Sequence, residues 1–157
     1  MSQTPEPRWL STQEQQVWLG LLAMMSSLPA AMDAQLQRDS DMSMVEYEVL
    51  SFLSMQPACT IRMSELASFA RVSLSHLSRI ATRLEKRGWM RRTPDPIDGR
   101  WTLALLTDIG RDMVVAAAPG HVETVRAHVF DPLTKAQIDQ LRVITEKVNA
   151  SFGEGNK

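Results

Sequence analysis

Cysteine is all but absent. Cys59 is the only one in 157 residues, which excludes an intrachain disulfide framework and a cysteine-rich zinc site. Glycine is sparse at seven residues, and none falls into a phosphate-cradling loop. The three histidines, His76, His121 and His128, lack a ligand spacing such as H-x-x-x-H, so neither a metal nor a cofactor is expected. No motif pairs a nucleophile with a base or sets two carboxylates together, so an enzyme is not expected. No apolar run is expected to reach the roughly 18 residues that cross a bilayer, and no membrane partner is expected. The stretch Met1 to Arg8 is polar and Pro-bearing, without the apolar core of a signal peptide. A reducing cytoplasm is the simplest compartment.

Net charge is nearly absent too, at −1, but it is unevenly spread. Between Arg71 and Arg100 eight basic residues face three acids, a local +5 that leaves −6 for the rest of the chain. Such asymmetry predicts a basic working face on an acidic body. With 44% hydrophobic and 22% charged residues, the composition is that of one ordinary globular domain spanning residues 1–157.

Apolar periodicity sets the element order. Glu14 to Arg38 reads as a long helix, striped through Val17, Leu21, Met24, Met25, Leu28, Met32 and Leu36, which Pro29 should kink or break. Ser43 and Glu46 form a capping box opening a helix that reaches about Met55, with Val45, Val49, Leu50, Phe52 and Leu53 inward. Ser64 to Ala70 is a short helix, Arg71-Val72-Ser73 a tight turn, and Ser73 to Arg87 a second helix stopped by Gly88. Trp89 to Arg92 and Arg100 to Leu106 read as strands joined through Asp98-Gly99. Thr107 caps a helix striped through Ile109, Met113, Ala116 and Ala117. Pro119-Gly120 should interrupt it, and Asp131-Pro132 should end the run. Thr134 and Gln137 box a last helix carrying Ile138, Leu141, Ile144, Val148 and Phe152, before a polar tail from Gly153 to Lys157.

A helix-turn-helix followed directly by a hairpin is a winged helix. The expected fold is mainly α with a small β-hairpin wing (α+β). Its winged helix-turn-helix core spans about 43–107, flanked by terminal helices at about 11–40 and 108–152.

On the helix Ser73 to Arg87, Leu74, Leu77, Ile80, Ala81 and Leu84 share one face. Ser73, Ser75, His76, Ser78, Arg79, Thr82, Arg83 and Lys86 share the other. Small polar residues let a helix approach base edges, and arginines reach guanine or phosphate, so this face is the expected DNA reader. Arg100 on the wing suits a narrowed minor groove. Asp98 makes sense there if it orients Arg100 through a bidentate pair. Arg91 and Arg92 are expected beside the DNA backbone, unless one of them is only a strand-edge charge. A winged helix used only for protein contact is the alternative, but it would call for an apolar or acidic outer face.

Three stretches carry a family resemblance: Ser64-Glu65-Leu66-Ala67, Leu84-Glu85-Lys86-Arg87-Gly88, and Asp98-x-Arg100 followed after five residues by Leu106-Thr107. They resemble the MarR family of bacterial transcriptional regulators over nearly the whole chain. Arg71-Val72 departs from the pattern, where a small residue is common. The resemblance implies a homodimer with interlocked terminal helices, reading palindromic double-stranded DNA as a repressor. It also implies release by a small aromatic or apolar-anionic effector, for which Trp18, Met25 and Tyr47 (and Met24) are the candidate contacts. The peroxide-sensing branch places its cysteine in the first helix, where this chain has none, so Cys59 is expected to be a buried small residue. The apolar stripes at both ends point independently to a dimer, since a small winged-helix core leaves them uncovered.

Overall fold

The computed structural model describes residues 6–153; the stretch through residue 5 and the polar tail from residue 154 lie outside the described residues. Helix α1 (Thr12–Ser40) is opened by a capping box between Ser11 and Glu14 and closed by Asp41 in the left-handed region. Pro29 neither breaks nor divides it. A proline removes one backbone donor, and here that loss falls on an exposed position within a 29-residue helix. Only the C-terminal third of α1 reaches the core, through Met32, Gln35 and Leu36; Val17, Trp18, Leu21, Met24 and Met25 are exposed.

The expectation about apolar runs needs correction. Within α1 an 18-residue window reaches a mean hydropathy of 1.4, so by length and composition the helix is apolar enough to cross a membrane. Glycine, serine and proline break the run of large side chains without adding charge, which keeps the average high.

Helix α2 (Met44–Ser54) carries the expected Ser43–Glu46 capping box and buries Val49, Leu50 and Leu53. Strand β1 (Thr60–Arg62) follows and has no counterpart in the sequence reading. Helix α3 (Met63–Phe69) and helix α4 (Leu74–Lys86) form the helix-turn-helix. The turn between them places Arg71 at φ 53°, a left-handed conformation that costs a non-glycine residue roughly 1–2 kcal/mol. Strands β2 (Met90–Pro94) and β3 (Thr102–Leu106) form the wing. The sheet order is β1-β3-β2, all antiparallel, with Thr60 opposite Leu105 and Arg92 opposite Ala104.

Helix α5 (Asp108–Val125) runs straight through Pro119-Gly120 and continues as a widened π turn over Arg126–Phe130. The expected interruption is therefore absent. Gly120 instead lets α1 come close, since a Cβ there would lie 2.8 Å from Gln35 Nε2. The expected stripe of α5 holds in part: Ala117 is buried and Met113 packs on the core, while Ile109 and Ala116 are exposed and Gly110 and Val114 take the inward positions. Helix α6 (Lys135–Gly153) opens with the Thr134–Gln137 box and makes only marginal contact with the rest of its own chain.

Leu36, Leu50, Leu53, Leu66, Leu77, Ile80, Leu84 and Met90 form one fully buried core beneath α4 and the wing. Leu74, expected on that packing face, is 53% exposed in the first turn of α4. Gly88 at φ 73° ends α4 as expected. Its neighbours close a Schellman turn, with the Trp89 N–H donating to the Leu84 carbonyl at 3.0 Å and Gly88 N–H to Glu85 at 2.9 Å.

Thr107 then ties the wing to α5. Its hydroxyl donates to the Gly88 carbonyl at 2.6 Å and accepts the Gly110 N–H at 3.0 Å. A Cβ on Gly110 would lie 1.9 Å from the Trp89 carbonyl oxygen. Gly110→Ala should therefore destabilise the fold by at least the upper end of the roughly 1–3 kcal/mol that overpacking costs. Thermal unfolding reads this directly; an unchanged Tm would contradict so close an approach.

Candidate nucleic-acid interface

Helix α4 has a strongly two-sided sequence. With Leu77, Ile80, Ala81 and Leu84 locked in the core, its polar residues must face out. Ser73 is the N-cap, accepting the His76 N–H at 3.2 Å, and its hydroxyl lies 3.1 Å from that of Ser75. Ser75, Ser78, Arg79, Thr82 and Arg83 line a shallow cleft along this face. Among the described residues Arg79 has no hydrogen-bond or ion-pair partner, so its guanidinium is available to a ligand.

Arg83 is committed inward. Its Nε donates to Glu46 Oε1 at 2.9 Å, while the other Glu46 oxygen accepts the Ser43 N–H at 2.9 Å. Burial pushes the Glu46 carboxyl upward, but the hydrogen bonds from Ser43 and Arg83 outweigh it and hold it below the usual range. Arg83 remains half exposed and keeps one edge toward the cleft.

Arg92 corrects the expectation of a backbone-flanking charge. Instead of projecting outward from β2 it crosses to α4. There its guanidinium donates to Ser78 Oγ at 3.0 Å, Thr82 Oγ1 at 3.0 Å and Glu85 Oε2 at 2.6 Å. Arg91, its neighbour on the strand, is exposed. Thr82 also donates its own proton to the Ser78 carbonyl at 2.9 Å. Its hydroxyl is thereby spent internally, whereas Ser78 Oγ accepts from Arg92 and keeps its proton for an outside acceptor.

The wing is held by acids. Buried Asp95 accepts the Ile97 N–H at 2.9 Å and faces Arg62 at 3.5 Å. Arg62 also lies over the Trp101 ring, 5.1 Å from its centroid. At the turn, Asp98 and Arg100 form the bidentate pair expected from their spacing, with Nε–Oδ1 at 2.9 Å and Nη2–Oδ2 at 2.7 Å. Hydrogen bonds from Arg100 hold the Asp98 carboxyl below the usual range, and Asp98 in turn raises the Arg100 guanidinium. Arg100 stays 86% exposed, so it is aimed without being buried. Arg62, Asp95 and Trp101 escaped the sequence reading, because their partners come from β1 and from the far side of the wing loop.

The remaining candidates lie away from this face. Cys59 is buried, as expected, with its sulfur 3.0 Å from Arg111 Nη2. Tyr47 is buried against His121, with ring centroids 4.6 Å apart, and burial lowers the His121 imidazole. Gln35 Oε1 and His121 Nδ1 are buried without a partner among the described residues. Trp18 and Met25 are exposed on α1, so one protomer does not bring them onto Tyr47. A separate apolar groove of about 670 Å³ opens between α1 and α6, lined by Met24, Leu28, Val129, Leu133, Leu141 and Ile144.

A sequence model of the MarR family matches residues 42–102, the stretch from α2 through the wing loop to the first residue of β3. The fold is similar to that of Sco3205, a MarR family transcriptional regulator from Streptomyces coelicolor whose structure is in complex with DNA. That likeness has a TM-score of 0.88 and 42% identity, covering 94% of this chain and 92% of that one. AbsC, a MarR family regulator of the same organism, matches at TM-score 0.88 and 31% identity, covering 94% of this chain and 99% of its own. The transcriptional repressor MprA of Escherichia coli K12 is 30% identical over 102 residues, 65% of this chain. The chain spans less than two thirds of the curated relatives it matches, 57% in the case of MprA. With both Streptomyces regulators matched along almost their whole length, the chain belongs to the MarR family of transcriptional regulators.

Proposed function

We propose that this protein is a homodimeric, sequence-specific DNA-binding transcriptional regulator of the cytoplasm. In this reading it is a repressor that a small aromatic or apolar-anionic effector releases from a palindromic operator. Residues 43–107 are the reading module, and 11–40 with 108–152 are the dimerisation helices. Ser73, Ser75, His76, Ser78 and Arg79 face bases or phosphates in the major groove, with Arg83 at the edge. Arg100, aimed by Asp98, enters the flanking minor groove.

One observation carries this reading: Arg79, without a partner among the described residues, is exposed on the polar face of α4, and the wing that follows holds an exposed Arg100 in a bidentate pair. The DNA complex of Sco3205 supports it as a likeness, and MprA, named a repressor, supports the sign of regulation. The exposed apolar faces of α1 and α6 support the dimer, because surfaces of this kind are normally buried in an interface. For the effector, the support is the polar junction of Tyr47, His121 and Gln35 between α1, α2 and α5. Trp18 and Met25 would join a pocket only once a second copy covers α1. An effector there shifts the two reading heads only through unequal affinity for their two arrangements.

Fluorescence anisotropy with the inverted repeat nearest its own coding region, and with a scrambled duplex, tests the reading at two salt concentrations. The expected result is tight binding to the repeat, with affinity falling by roughly 10³ or more between 50 and 200 mM salt. Binding to neither duplex at either salt concentration would leave the protein-contact reading standing instead.

A further inference from the structure

We propose that Arg92 and Glu85 are positioning residues that set the wing against the recognition helix, an inference that rests on the DNA-binding reading above. Ser78, Thr82 and Glu85 stand at i, i+4 and i+7 on α4, a single face about 10 Å long. The Arg92 guanidinium touches all three. Glu85 also accepts the Arg92 backbone N–H through its other oxygen at 2.8 Å. One carboxylate therefore holds both the strand and the side chain that leaves it. Arg92 stands opposite Ala104 on β3, at the middle of the five-pair ladder rather than at the wing tip. Both side chains are about three-quarters sheltered. The hydrogen bond and charge of Arg92 lower the Glu85 carboxyl, and Glu85 raises Arg92, so the pair stays ionised across the neutral range.

Two consequences follow from this geometry. The azimuth of the wing about α4 is preset, which holds Arg79 and Arg100 at one spacing for the major groove and the adjacent minor groove. Arg92 is neutralised internally, so it contributes to operator affinity through placement and not as a phosphate contact.

The two roles give opposite signs on removal of the acid. If Arg92 were a phosphate-binding charge, Glu85→Ala would free it and strengthen binding to any DNA. If the pair positions the wing, Glu85→Ala should weaken operator binding by about tenfold or more, while binding to scrambled DNA holds or increases. Preference for A·T-rich flanks should fall with it, although Arg100 is intact. Glu85→Gln keeps an acceptor for the Arg92 N–H and should show the same pattern at smaller size. Arg92→Lys, which keeps the charge but loses the fork, should also lose flank preference. Each variant is titrated against operator and scrambled DNA, with Tm and dimer mass measured alongside. Operator affinity that is unchanged or increased in both Glu85 variants overturns the positioning role and leaves the DNA-binding reading intact. Wild-type protein that binds neither duplex overturns both.

Discussion

Arg79→Ala is expected to weaken operator binding by about 1–3 kcal/mol per half-site and to relax discrimination among operator sequences. Arg79 stands on the polar face of α4 without a partner among the described residues, so its hydrogen-bonding capacity is open to a base edge. A guanidinium fork matches the O6 and N7 acceptors of guanine, and an alanine leaves those acceptors unread. Arg100→Ala should behave differently. It should weaken binding evenly across core sequences, flatten the salt dependence by about one phosphate equivalent, and matter most where the flanks are A·T-rich.

Asp98→Ala should partly reproduce the loss of Arg100, because both Asp98 oxygens hold the guanidinium. The Asp98 carboxyl is held below its usual value by Arg100, so the pair is complete at neutral pH. It should be lost only as pH falls through that lowered value, well below the neutral range. The three variants and wild type are titrated against operator and scrambled duplexes at several salt concentrations. Equal affinities for all four proteins would remove both α4 and the wing from the interface.

Truncation before Thr134 should abolish the dimer and, with it, operator binding. Helix α6 leaves Ile144 at 56%, Val148 at 50% and Phe152 at 74% exposure, and barely touches its own chain. Helices in proteins draw most of their stability from packing of an apolar face, so a surface outside the protomer must cover this one. The exposed stripe of α1 has the same need, and the apolar groove between α1 and α6 is open along one side. A second copy supplies matching helices to both, by the two-fold symmetry that most such assemblies use. Removing α6 strips the Ile144, Val148 and Phe152 part of that surface. The remaining chain should run as a monomer or aggregate by light scattering, and should retain much of the helical circular dichroism carried by α1 to α5. Its affinity for the palindrome should drop by roughly 10³ or more, toward non-specific binding. A well-behaved truncated dimer that still binds the palindrome would overturn the assignment of α6 to the interface.

Much of this protein is legible residue by residue because its controlling interactions are local. The Ser43–Glu46 and Thr134–Gln137 boxes, the Gly88 stop and the Asp98–Arg100 fork all close within five residues of sequence. Such contacts need only a turn of backbone to form, so the residue types and their spacing specify them. The outward face of α4 is equally legible, since one apolar side leaves the other exposed. Other features depend on how elements dock. Strand β1 has three residues, too few for a period, and exists because β3 offers it an edge. Pro29 and Pro119 are tolerated because the helices around them are long, and the inward face of α5 is chosen by the Gly120–Gln35 and Gly110–Trp89 approaches. Arg83 and Arg92 look like DNA-binding charges in the sequence. In the fold, Glu46, 37 positions away, holds the Nε edge of the first and leaves it half exposed, and α4 takes the second. A cation's role is set by the nearest carboxylate in space, and only the tertiary structure brings that carboxylate to it.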